Sequence, residues 1–389
     1  MASLVEYLNW RGDITFAQDS LNAVDALLLS QLTYLDLAGI VGVGEDTCTL
    51  EQAAERFWEL HTEEELKQCV AFAMRTAGEL LNAMAKTKRF SGLTLRNYEH
   101  RLDRKAEEQF SALEIVLGEQ ESFISFGGTD DTLVGWKEDF NLCFLFPIPS
   151  QTHATEYLER FFSDRKTKIY IGGHSKGGNL AVYSAVNSGK EIREKIERVY
   201  NFDGPGFTKD FIESDDYLAM RGVVETWVPE SSFVGMLLEH GEDYQVVSSS
   251  QNGFLQHDAT SWEVQGTEFI KLREVNQGSI QMAEGIKEWV DGLSPEELEN
   301  FFAHVYQVLT VTDAKTLAEL NRERFKSVRS MIHSFHGLDK KTKEIMFALV
   351  KIMITTSIKK RTLTRAEERN KRRIKIFGKK EPVILMGRK

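Results

Sequence analysis

The sequence predicts the α/β class, with a mostly parallel central sheet and helical additions at its N-terminal and C-terminal ends. Three observations predict it. From about residue 118 to residue 262, short runs rich in β-branched and aromatic residues alternate with stretches of helical spacing. Ahead of them, Leu21, Val24, Leu27, Leu28, Leu32 and Leu35 recur at helical intervals. Behind them, Ser294-Pro295-Glu296-Glu297 has the form of a helix start, with a capping serine, proline at the first helical position and glutamate at the third.

Taken in order, residues 1–115 read as a helical region packing on the core, with the leucine stripe as its buried face and Thr62-Glu63-Glu64-Glu65 as a capping box. Residues 116–265 form the expected core. Its strands are Glu121 to Phe126, Lys168 to Ile171, Val199 to Phe202, Val223 to Val228 and Tyr244 to Ser248. Residues 266–358 read as helical again, and 359–389 as a basic tail.

The core contains a strand, a sharp turn and a helix with a serine at the apex: Lys168 to Ile171, then Gly173-His174-Ser175-Lys176-Gly177-Gly178, then the run through Leu180, Ala181, Tyr183 and Ala185. This is a G-x-S-x-G nucleophile elbow. The flanking positions must be glycine because the serine sits in a strained turn whose neighbours have no room for side chains. Ser175 Oγ is then exposed, and the first amides of the helix, chiefly that of Lys176, offer part of an oxyanion hole. The order Ser-Lys-Gly excludes a phosphate-binding loop, which needs Gly-Lys-Ser/Thr, and no G-x-G-x-x-G dinucleotide fingerprint is present.

A nucleophilic serine needs a base and an orienting acid, in the chain order Ser, Asp/Glu, His. Among the downstream histidines, His257 follows the strand-like Tyr244 to Ser248 and is the expected base. His240, His304, His333 and His336 lie in charged or helical surroundings and read as solvated, and His174 reads as structural. For the acid there are two candidates: Glu230, after the strand ending Val228-Pro229, is preferred, with Asp203, in Asp203-Gly204-Pro205-Gly206, as the alternative. Asp258 adjoins the base, and adjacency points its side chain elsewhere.

A second segment runs Ser122-Phe123-Ile124-Ser125-Phe126-Gly127-Gly128-Thr129, with Trp136 and Asp139 further on as W-x-x-D. With the elbow and the H-x4-W of His257 and Trp262, it resembles the class 3, fungal-type lipase family. That resemblance implies an α/β-hydrolase fold, and implies that Thr129 supplies its backbone N–H and its hydroxyl to the oxyanion hole. Two departures stand out. Gly127 replaces the family's arginine, and the family's aspartate before Val-Pro is here Thr226, before Trp227-Val228-Pro229. A longer run also resembles a bacterial family of lipase-like proteins, typical of Gram-positive species, with no assigned substrate. It comprises WRGD near residue 10, GTDDTLVGWKEDF, GGHSKGGNLA, DGPGF, VPESSFVGM and QHDATSW. Lys176 stands where lipases carry an apolar residue, and its ammonium group is expected to favour a polar or anionic acyl substrate.

The expected function is therefore serine ester hydrolysis through an acyl-enzyme. A weakly active or inactive binding scaffold is the alternative from another class, and a thioesterase or acyltransferase would use the same residues. No cofactor or metal is expected, since Cys48, Cys69 and Cys143 lack ligand spacing. The odd cysteine count and the absence of a signal-like start point to a cytoplasmic protein. The net charge of −11 is uneven: Lys359 to Lys389 carries +10, leaving −21 before it. The tail, behind the apolar stretch Ile345 to Ile354, reads as solvated or as cover for the acidic body. Peripheral contact with an anionic membrane is the alternative, and no nucleic-acid partner is expected.

Overall fold

A computed structural model describes residues 2–302, apart from 70, 71, 131, 143 and 295. The apolar stretch 345–354, His304, His333, His336 and the basic tail lie outside the described residues, as does Cys143. In chain order the helices are α1 Leu4–Arg11, α2 Ala23–Ser30, α3 Leu50–Leu60, α4 Glu63–Gln68, α5 Phe72–Met84, α6 Leu133–Asn141, α7 Pro149–Phe162, α8 Lys176–Asn187, α9 Lys190–Arg193, α10 Lys209–Ile212, α11 Asp215–Met220 and α12 Gln277–Asp291. The strands are β1 Cys48–Thr49, β2 Thr94–Asp103, β3 Glu108–Gly118, β4 Glu121–Phe126, β5 Lys168–His174, β6 Ile196–Phe202, β7 Val224–Pro229, β8 Tyr244–Val247, β9 Val264–Gln265, β10 Glu268–Phe269 and β11 Lys271–Leu272. Among the described residues, no helix is long and apolar enough to cross a membrane.

Nine strands form one sheet in the order β1-β2-β3-β4-β5-β6-β7-β8-β11, and β9 and β10 pair as a separate ribbon. The five expected strands are β4 to β8 and run parallel. The margins are antiparallel, through β1 to β4 on one side and β11 on the other. The sheet is therefore mixed rather than mostly parallel. The helical N-terminal region also ends at Met84, because residues 94–118 join the sheet as β2 and β3 rather than forming helix.

Alternation along the strands covers both faces. Leu113, Ile115, Phe123, Tyr200 and Phe202 pack with the N-terminal helices, while Ala112, Ile124, Phe126 and Val199 pack with α7 and α8. The expected leucine stripe is buried from Val24 to Leu35, in α2 and the turn after it, with Leu21 partly buried ahead of the helix. The expected box on Thr62 opens α4, and Ser294 caps the helical residues 296–302. A buried ion pair ties the N-terminal region together: Arg89 meets Asp25 at 2.5 Å and also donates to the carbonyls of Ile14, Asp19 and Ser20. This fixes the chain leading into α2 and its first turn; from the turn after α2, Thr33 and Tyr34 reach the ends of β4 and β5.

Candidate active site

The parallel strands end on one side of the sheet, where β5 turns into α8. Ser175 sits at that turn with φ 59° and ψ −131°, a conformation that costs about 1–3 kcal/mol and persists only where the surroundings impose it. They impose it by close approach. A Cβ on Gly173 would lie 2.2 Å from the Gly177 carbonyl carbon, and one on Gly177 would lie 2.2 Å from Phe126 O and 3.0 Å from Gly128 N. The glycines thus bring the end of β4, and with it Thr129, against the first turn of α8. Ser175 Oγ does not cap the helix; it lies 3.1 Å from His257 Nε2.

His257 comes from a short turn after β8. Trp262 is fully buried and donates its indole N–H to Gln256 O, which anchors that turn one residue before the histidine. From the other side, His174 donates its Nε2–H to the His257 carbonyl at 2.8 Å and accepts from Tyr34 O–H at Nδ1, also at 2.8 Å. Burial, reinforced by the neighbouring His257, holds His174 well below the usual imidazole range, so it stays neutral and can accept from the tyrosine. His174 is structural, as expected.

The carboxylate that the fold places against His257 is Asp203, the alternative candidate, and not the preferred Glu230. Asp203 Oδ2 lies 2.6 Å from His257 Nδ1 and its side chain is fully buried, whereas Glu230 is exposed. Strand order explains the difference. β6 lies beside β5, so the residue after β6, held at φ 53°, turns directly under the histidine. Glu230 lies one strand further out, with its carbonyl bonded to Asn276 at the start of α12. Asp203 Oδ1 accepts from Ser232 Oγ at 2.5 Å and from Gly235 N at 3.2 Å. Asp258, beside the base, is spent on Thr260.

Thr129 Oγ1 donates to Asp139 Oδ1 at 2.6 Å, so the second residue of the W-x-x-D pair holds the threonine. Gly127 leaves no room for an arginine, because a Cβ there would meet Ser111 Oγ at 1.8 Å. The partly buried Asp139 carboxyl is pushed up to about 6 by desolvation, against the pull of Lys176 and Thr129. A carboxyl raised by folding stabilises the fold below its unfolded value of 3.8, and that contribution is lost as pH rises through about 6. Wild type is therefore expected to lose up to about 3 kcal/mol relative to Asp139→Asn between about pH 4 and pH 7. Urea unfolding at several pH values reads this difference, and parallel pH curves would contradict it.

Lys176 departs from expectation. Its amide opens α8 beside Ser175, but its side chain is 1% exposed and runs into the core. Nζ donates to Gln109 O, Gln109 Oε1 and Glu138 Oε2 at 2.6, 2.8 and 2.7 Å. The ammonium group is fully committed there and faces no substrate. His240 is likewise not solvated; it lies in a buried cluster with Glu242. The roles of Asp139, Ser232, Gly235 and Tyr34 went unassigned at the sequence level, although W-x-x-D and VPESSFVGM mark three of them.

Serine, histidine and a buried carboxylate, linked in that order at the ends of parallel strands of an α/β sheet, have the geometry of a charge-oriented nucleophile. Residues 84–307 match the family model described as Mbeg1-like, more than half of the chain, and the protein belongs to that family. No curated protein matches it. Among solved structures, one titled as the crystal structure of M37 lipase is 14% identical, with 56% of this chain and 69% of that chain covered and a TM-score of 0.33.

Proposed function

We propose that this protein is a serine hydrolase that cleaves carboxylic esters through an acyl-enzyme. The observation that carries this reading is the position of His257, 3.1 Å from Ser175 Oγ through one nitrogen and 2.6 Å from Asp203 through the other. Asp203 accepts the Nδ1–H and so leaves Nε2 free to take the serine proton as Oγ attacks the acyl carbon. The oxyanion forms beside the start of α8, where the amides of Lys176 and Thr129 are the proposed donors, each worth about 3 kcal/mol of barrier. His257 then protonates the leaving alcohol. Water, deprotonated by the same nitrogen, releases the acid and restores Ser175.

Phe254 packs on the His257 ring with centroids 5.9 Å apart, and Phe233 packs on Phe254 at 6.1 Å; both are partly exposed. An apolar wall beside the base favours an apolar acyl or alcohol group. Two contacts support this reading at the places where the chain departs from the lipase pattern: Asp139 holds Thr129, and Asp203 lies against His257. A panel of p-nitrophenyl esters of increasing acyl length, with an acyl thioester alongside, tests the reading. Turnover is expected to fall by at least about ten-thousandfold in Ser175→Ala. No turnover of any member by folded wild type, with or without anionic vesicles, would overturn it.

A further inference from the structure

The segment between β7 and β8 crosses beneath Asp203 as a strap. Its Ser232 hydroxyl and Gly235 amide both donate to Asp203 Oδ1, the oxygen that does not face His257. Gly235 is packed so closely that a Cβ there would lie 2.4 Å from Asp203 Oδ1 and 2.8 Å from Val228 Cγ1. Any movement of the strap therefore moves the acid.

The carbonyl of Gly235, on the peptide unit that follows, is held by His240. Its Nε2 lies 2.8 Å from Gly235 O, which can only accept, so Nε2 donates. Its Nδ1 faces Glu242 Oε1 at 3.3 Å. Glu242 in turn accepts from Thr226 Oγ1 on β7 and Tyr217 O–H on α11. Burial would raise the Glu242 carboxyl, but these bonds and the attraction of His240 hold it down at about 2, so it remains an acceptor. The strap is also pinned by the Phe207 and Glu239 backbone pair, while Leu238 between them sits at φ 63°.

We propose that His240, oriented by Glu242, is a positioning residue for the triad: it holds the strap at the Gly235 carbonyl, and the Gly235 N–H, one peptide unit back, aims Asp203 at His257. The proposal rests on the serine-hydrolase reading of the site. No bond is made or broken at His240; it acts only through Asp203.

The test compares His240→Phe, which fills the space without a donor, with His240→Gln, which keeps an N–H donor at similar reach. Two readouts are used: kcat and KM on a short-chain p-nitrophenyl ester, and the downfield proton resonance of the His257 Nδ1–H bond to Asp203. His240→Phe is expected to lower kcat about tenfold to a hundredfold with KM little changed, the scale of loss that a small misplacement produces. Its downfield resonance is expected to shift upfield or exchange away, and His240→Gln to restore both. Gly235→Ala, with His240 intact, is expected to reproduce the loss and stands in if His240→Phe does not fold. Wild-type kcat and resonance in His240→Phe or Gly235→Ala, or a glutamine variant as impaired as the phenylalanine one, would overturn the proposal. If wild type turns over no ester but the resonance still depends on His240 in this way, the positioning role stands and the ester reading falls.

Discussion

Asp203→Asn is expected to lower kcat by about ten-thousandfold, while Glu230→Gln stays within about twofold of wild type. Hydrogen bonding around Asp203 dictates the size of the loss. Oδ1 is fixed as an acceptor by Ser232 O–H and Gly235 N–H, so an asparagine must place its carbonyl there and turn its NH2 toward His257 Nδ1. That forces the imidazole into the tautomer protonated at Nε2, which faces Ser175 Oγ and can no longer take its proton. Geometry and packing are otherwise preserved, so the loss should fall on kcat with stability nearly unchanged. Steady-state kinetics on an ester that wild type cleaves gives the comparison. A larger loss in Glu230→Gln than in Asp203→Asn would restore the glutamate as the acid.

The largest expected stability effect belongs to Lys176. Lys176→Met removes the cation bonded to Glu138, a carboxylate that is itself 0% exposed. Glu138 keeps the amides of Gln109 and Ser150, at 3.0 and 3.1 Å, but they carry no full charge. Stranding a buried charge in this way costs about 3–5 kcal/mol. The variant should therefore unfold at markedly lower urea with an unchanged dependence on denaturant. Pairing it with Glu138→Gln should recover part of the loss, since the stranded charge is then gone. A Lys176→Met protein of wild-type stability that instead changed its preference between anionic and neutral esters would return the lysine to the substrate site.

The parallel strands and the elbow were legible because their information is local. β4 to β8 are apolar and β-branched or aromatic, and the glycines around Ser175 mark a turn that needs them. β2 and β3 were not legible. In Glu108–Gly118 the buried positions include Glu108, Gln109, Ser111 and Glu114, which look like solvent-facing residues. They are buried because their partners come from elsewhere. Arg96 and Arg165 reach Glu114, His153 reaches Glu108, and Lys176 reaches Gln109. Lys176 misled for the same reason: its acceptors are 67 and 38 positions away, so it read as free. The choice between Asp203 and Glu230 depended on strand adjacency, which chain order alone does not contain. His257 was legible because the tryptophan that anchors its turn lies five residues on.

The most direct test of the triad is labelling by a fluorophosphonate, which reports an activated serine whatever the natural ester is. Intact mass should show a single adduct on wild type and on Glu230→Gln, none on Ser175→Ala, and labelling slowed by orders of magnitude in His257→Ala and Asp203→Asn. An adduct that survives in Ser175→Ala, or wild-type labelling rates in Asp203→Asn, would contradict the assignment of Ser175, His257 and Asp203 as one catalytic unit.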